Sequence, residues 1–310
     1  MPDTSHTAIL GAGVIGASWA ALFLASGRSV AVFDPAPGAE RQVRDYIETA
    51  WPVMEELGLT ERGDPAAIRF MQSAKDAVED AGFIQENVPE RIAIKHATFA
   101  EIEPALAPDA VVASSASGLT LAEMQEGWAD PARLVLGHPF NPPHLIPLVE
   151  VMGNARTAPG VVEAAEAFYA DVGKVTIRLN KGLPGHVANR LQAAVWREAI
   201  HLVTEGVASV EDVDKAIWAG PGLRWAAMGP TMLFHLAAGP GGMRAFCDHF
   251  RDTFHGWWDG MGDVRLTDEV IEAIVTGVEA EAAGKSVAEL SRDRDALVVA
   301  LQKSLRGLRD

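Results

Sequence analysis

Cysteine is nearly missing from this sequence. Of 310 residues only Cys247 carries a thiol, which excludes an intrachain disulfide and any CxxC metal or redox motif. No metal site is expected. That cysteine usage fits a reducing compartment, and the expected location is the cytoplasm. Positive charge is also scarce: 26 lysines and arginines stand against 42 aspartates and glutamates, a net charge of −16. Such an excess repels a phosphate backbone and argues against nucleic acid as a partner. Long apolar runs are lacking as well. Residues 17–26 and 296–301 fall far short of the roughly 18 to 20 residues that cross a bilayer, so buried helices are expected there and no membrane partner. Residues 1–7 lack the basic start of a signal peptide.

What is present is an ordinary globular composition, 48% hydrophobic and 22% charged, able to bury a core without staples. The length suits roughly two domains of about 150 residues. Through about residue 180, short β-branched runs (8–10, 29–34, 83–85, 110–113, 133–136 and 174–179) alternate with helical stretches (14–26, 39–57, 94–105 and 161–172). Strand and helix taking turns predicts a parallel sheet covered on both faces. After residue 186 the strand signal disappears. Val187, Leu191, Val195 and Leu202 recur at helical spacing, Gly206 supplies a stop, and Ser209 with Asp212 forms a capping-box pattern for the next helix, which Gly220-Pro221 ends. The expected fold is therefore an α/β doubly wound sheet over residues 1–184 followed by an all-helical domain over 185–310, with Lys181-Gly182-Leu183-Pro184-Gly185 as the linker.

Gly11-Ala12-Gly13-Val14-Ile15-Gly16 follows a strand and opens a helix, the context in which GxGxxG becomes informative. Gly11 permits the tight turn, Gly13 admits a pyrophosphate close to the backbone, and Gly16 allows close helix-to-strand packing. The helix N-terminus, through Val14 and Ile15, offers free N–H groups and partial positive charge. Asp34 ends the second strand 18 residues after Gly16, where a carboxylate can accept from ribose hydroxyls and would repel a 2′-phosphate. The expected cofactor is NAD rather than NADP.

Three further segments concentrate polar groups: Ser114-Ser115-Ala116-Ser117-Gly118, Gly137-His138-Pro139-Phe140-Asn141-Pro142-Pro143, and the apolar run Pro147-Leu148-Val149-Glu150-Val151-Met152. A glutamate in such a run is costly to bury unless paired. His138, 12 residues earlier, is the candidate partner, giving a base oriented by a carboxylate. Spacing alone reads equally as a loop histidine and an exposed edge carboxylate.

In ordered combination, GAGVIG, ENVPERIAIK, SSASG, GHPFNPP, PLVEVM and PGHVANRL resemble the 3-hydroxyacyl-CoA dehydrogenase superfamily. The segment from Gly220 to Pro230 is most similar to its short branch, which contains L-gulonate 3-dehydrogenase (lambda-crystallin) and carnitine 3-dehydrogenase. The resemblance implies that His138 is the base for the hydroxyl proton and Glu150 its orienting partner. It implies that Ser117 and Asn189 hydrogen-bond the substrate oxygen, and that Glu90, Lys95, Ser117 and Asn141 line the nicotinamide and ribose site. It also implies a homodimer formed through the helical domain, with residues 267–308 extending the interface. Ala116 and Gly118 depart from residues common in relatives, which bears on the substrate.

Across residues 39–72 four arginines face seven carboxylates without a lysine, a net of −3, which disfavours the phosphate-rich end of CoA. A small 3-hydroxy acid is expected instead, L-gulonate first, with L-carnitine and 3-hydroxybutyryl-CoA as alternatives. Arg224, among glycines and apolar residues, is the candidate carboxylate anchor, its other reading being a surface or interface arginine. Trp225, Trp257 and Trp258 keep carnitine in play, since a quaternary ammonium favours aromatic faces, although helical tryptophans more often serve cores or interfaces. An NAD-binding structural protein of the crystallin kind is a further alternative. Packing alone gives little reason for Ser117, His138, Glu150 and Asn189 together.

Overall fold

The computed structural model describes residues 3–309, with side chains through Leu305. Its apolar runs form eight strands: β1 (His6–Leu10), β2 (Ser29–Phe33), β3 (Ile68–Phe70), β4 (Phe83–Glu86), β5 (Val111–Ser114), β6 (Leu134–Pro139), β7 (Leu148–Met152) and β8 (Val175–Arg178). They make one sheet in the order β3-β2-β1-β4-β5-β6-β7-β8. Every neighbouring pair is parallel except β6–β7, so the expected parallel sheet carries one antiparallel pair. Side chains alternate between two cores: Ile9, Val32 and Phe83 face one, and Ala8, Leu10 and Ile84 the other.

The first core is covered by α1 (Val14–Ala25) and α2 (Ala39–Glu56), then, after α3 (Ala74–Val78), α4 (Ile92–Ile102) and α5 (Leu121–Gln125) on the opposite face, by α6 (Val161–Asp171). Ten of the twelve residues of α1 are buried, so this helix is apolar nearly all round, as a central helix must be. Gly27, at φ +84°, ends it by taking the left-handed conformation that other residues resist.

Seven helices complete the chain: α7 (Ala188–Thr204), α8 (Val210–Ala219), α9 (Pro221–Ala227), α10 (Pro230–Ala237), α11 (Gly242–Asp259), α12 (Asp268–Ala282) and α13 (Val287–Arg309). Gly206 takes φ +69° after α7, and the Ser209 hydroxyl accepts the Asp212 N–H at 3.1 Å to cap α8. Within α10 and α11, Phe234 stacks on Phe246, and Phe250 and Phe254 pack tilted or edge-on against this pair. No helix among the described residues is long and apolar enough to cross a membrane.

Two compact units divide the chain: residues 1–188 with 295–304, and residues 189–294 with 305–310. The division falls four residues beyond the expected one at 184/185, and part of α13 belongs to the first unit. There Val299 packs with Leu57 and Leu145, and Gln302 donates to the Leu145 carbonyl at 2.6 Å.

Candidate active site

Strand order changes direction between β1 and β4, the switch point at which open α/β sheets bind ligands. Gly11 closes β1 at φ +83°, where a Cβ would lie 2.6 Å from the Asn87 backbone. A Cβ on Gly16 would stand 1.9 Å from the Gly11 carbonyl oxygen, whereas the space beside Gly13 is open. The first bond internal to α1 runs from the Ala17 N–H to the Gly13 carbonyl at 2.8 Å, leaving the N–H groups of Val14, Ile15 and Gly16 for a ligand. Asp34 steadies the turn by accepting from Ala12 N–H at 2.6 Å and Ala36 N–H at 2.8 Å. An open cradle, free helix N–H groups and a carboxylate at the end of β2 fit a dinucleotide.

After β5, the Ser117 turn wraps a second carboxylate. Glu90 accepts from the N–H groups of Ser117 (2.7 Å), Gly118 (2.5 Å) and Leu119 (3.2 Å) and from Ser117 Oγ (3.2 Å). Burial alone would raise the Glu90 pKa, but these hydrogen bonds outweigh it and hold the group below the usual carboxylate range. Lys95, expected to line the cofactor site, is fully buried and bonded to Glu86 at 2.7 and 2.8 Å and to the Val88 carbonyl at 3.4 Å. Its three protons are therefore occupied, and it shapes the turn after β4. Asn141 is exposed in the loop after β6.

His138 and Glu150 are direct cross-strand partners on β6 and β7, so their Cβ atoms are neighbours by construction. The strand runs through Pro139, whose missing N–H is tolerated at a strand end. His138 is thus a strand residue rather than a loop residue. His138 Nδ1 lies 2.8 Å from Glu150 Oε2, and Glu150 is 1% exposed, which rules out the edge-carboxylate alternative. A carboxylate can only accept, so Nδ1 carries the proton and Nε2 keeps its lone pair. Glu150 Oε1 accepts the N–H groups of Val187 at 2.9 Å and Ala188 at 3.0 Å. Burial lowers the His138 pKa below the ordinary histidine value, although the Glu150 hydrogen bond opposes it. The imidazole is consequently neutral and able to take a proton at neutral pH.

Asn189 and Arg224 belong to the second unit, on α7 and α9. Asn189 is half-buried and Arg224 exposed.

Two buried groups beside the site escaped sequence reasoning. One is His186, discussed below. The other is Lys174, whose ammonium donates to the carbonyls of Pro143 and of Ile146 (2.7 Å) and sits 5.0 Å from the Trp19 ring. It straps the loop that joins His138 to Glu150. With burial as the cause, its pKa falls from 10.5 to about 7. The unfolded chain therefore binds more protons between those two values, and stability should climb as pH rises through that window, by at most about 1.4 kcal/mol per pH unit. Lys174→Met should remove this climb, as read from urea midpoints between pH 7 and 9.5. Equal slopes in the two proteins would refute the assignment.

Residues 6–182 match the family model of the 3-hydroxyacyl-CoA dehydrogenase NAD-binding domain, and residues 185–279 that of its C-terminal domain. The chain belongs to the 3-hydroxyacyl-CoA dehydrogenase family. Like other members of that family, it is an NAD-dependent dehydrogenase acting on a small molecule. An L-carnitine dehydrogenase of Streptomyces coelicolor is 46% identical over 297 residues, covering 96% of this chain and 93% of that protein. Another, from a Pseudomonas species, is 42% identical over 308 residues, covering 98% and 96%. Among solved structures, 5-formyl-3-hydroxy-2-methylpyridine 4-carboxylic acid 5-dehydrogenase, described as an NAD+-dependent dismutase, superposes with a TM-score of 0.83 at 29% identity, over 98% of this chain and 99% of that one.

Proposed function

We propose that this chain oxidises the 3-hydroxyl of L-carnitine to the ketone. The reaction rests above all on the His138–Glu150 pair, a neutral imidazole whose tautomer a buried carboxylate fixes. NAD, when bound, supplies the hydride acceptor. His138 Nε2 takes the substrate's hydroxyl proton, and Glu150 stabilises the imidazolium that forms 2.8 Å away. Ser117 is the partner of the substrate oxygen: its hydroxyl donates to Glu90 Oε2 at 3.2 Å and can turn to the substrate while the three backbone N–H groups keep Glu90 Oε1 in place. Asn189 is the second partner of that oxygen, and Arg224 the anchor for the carboxylate. Gly11, Gly13, Val14, Ile15, Gly16 and Asp34 hold the dinucleotide. Glu90 and Asn141 line its nicotinamide end, and Lys95 acts there only through Glu86 and Val88.

The substrate order expected from sequence is reversed here, because full-length relatives at 42–46% identity carry the carnitine name. Against an acyl-CoA, Arg41 and Arg44 of α2 are already paired with Asp45 and Glu40. We also propose a homodimer through the helical unit, whose exposed Leu191, Trp196, Trp218 and Trp257 form apolar surface that a second copy would cover. The free, exposed thiol of Cys247 suits the cytoplasm.

The test is NADH formation followed by absorbance with L-carnitine, L-gulonate and 3-hydroxybutyryl-CoA. L-Carnitine should exceed the others in kcat/KM by at least about a hundredfold, equivalent to about 2.7 kcal/mol of transition-state discrimination. Preferential turnover of gulonate or the CoA ester would overturn the substrate assignment. No turnover of any 3-hydroxy acid, with NAD still bound, would leave a binding protein.

A further inference from the structure

The three residues before α7 and its first residue, Ala188, fasten two parts of the site. Gly185 N–H donates to the Ser117 carbonyl at 3.2 Å, His186 Nε2 lies 3.1 Å from the Ala116 carbonyl, and Val187 and Ala188 reach Glu150. Among these, His186 is unusual in three ways. It has φ +48°, a conformation that costs a side-chain-bearing residue about 1–2 kcal/mol. It is only 4% exposed, and its Nδ1 is buried with no hydrogen-bond partner among the described residues. Its ring centre lies 4.9 Å from that of His138, at an interplanar angle of 59°. A strained backbone and an unpartnered buried nitrogen persist only where the surroundings over-determine them, and such positions cluster at functional sites.

We propose that His186 is a positioning residue for His138, tying the Ser117 turn to the base and presenting a second imidazole against its ring. The carbonyl of Ala116 can only accept, so His186 carries its proton on Nε2 and leaves a lone pair on Nδ1. The titratable groups around His138 are then Glu150 from β7, His186 from the turn before α7, and Glu90 from the segment after β4. Burial is the largest influence keeping a proton off His138. His186 acts in the same direction, and the two carboxylates oppose them. His186 therefore extends the range in which the base stands ready towards lower pH.

This inference rests on His138 being the base, and the test separates the two. In histidine-labelled, cofactor-free protein the imidazole signals are titrated by NMR, with the His138 signal assigned from His138→Gln. In both His186→Gln and His186→Phe the His138 midpoint should move to higher pH, and the acid limb of kcat/KM should move with it. Glutamine restores a donor for the Ala116 carbonyl, so kcat should stay within about threefold of the parent. Phenylalanine leaves that buried carbonyl unmet and should cost about tenfold or more. An unmoved His138 midpoint in both variants, or equal kcat in the two, refutes the role of His186. Full turnover by His138→Gln would instead remove His138 as the base, whatever the titration showed.

Discussion

Replacing His138 with glutamine is expected to lower turnover by at least about a hundredfold, the scale of losing a general base, while NAD affinity measured by calorimetry stays unchanged. Glutamine is close in volume and can still donate towards Glu150, so the β6–β7 pairing should survive. What it lacks is a nitrogen with both a lone pair and the basicity to take the hydroxyl proton. Since the proposed cofactor cradle, the β1–α1 turn with Asp34, lies on other strands, it should not register the change. Unchanged turnover, or a loss traced entirely to weaker NAD binding, would remove His138 from the chemistry.

Glu150→Gln is expected to cost on the order of ten-thousandfold, by analogy with the loss seen when a histidine is held in the wrong tautomer. The amide has one accepting end and one donating end, whereas the site needs acceptors at both: one for His138 Nδ1–H, the other for Val187 and Ala188 N–H. If the oxygen serves the backbone, the NH2 group faces His138 Nδ1, drives the proton to Nε2 and abolishes the base. If it serves His138, two backbone donors meet a third donor. Stability should fall as well, by about 1–3 kcal/mol for the stranded groups, measurable by urea denaturation. Because the two residues act as a unit, the His138→Gln, Glu150→Gln double variant should be little worse than the poorer single. Additive losses would indicate independent roles.

Much of the candidate cofactor turn's backbone was legible because its chemistry is local. The GAGVIG turn and the acidic end of β2 each follow from what a few neighbouring residues permit. The His138–Glu150 pair was half legible. An apolar run around one carboxylate required a partner, but Gly137-His138-Pro139 reads as turn chemistry, so neither the length of β6 nor the antiparallel direction of β7 could be inferred. β3, with three residues, is too short for periodicity to register. The burial of Lys95 was not legible because its counter-ion, Glu86, is a strand-end residue that nothing in the local pattern marks as buried. Lys174 opens the expected strand but stands one residue before β8 begins, and its neutral partners, two loop carbonyls, leave no trace in the sequence. His186 stands out only once a backbone torsion and a non-local contact are known.

The bond from Glu150 to the start of α7 has a bearing on the order of folding. A helix is usually capped by a residue next to it in the chain, and its first turn can close as soon as that residue is in place. Here the acceptor comes from 37 residues earlier. It takes up its position only when β7 has paired with β6 and the intervening loop has closed, a step that carries the entropic cost of a distant contact. The opening turn of α7 thus matures late, and it matures together with the orientation of the base. A chain whose helical segment has consolidated at that end has already assembled its proton-transfer pair.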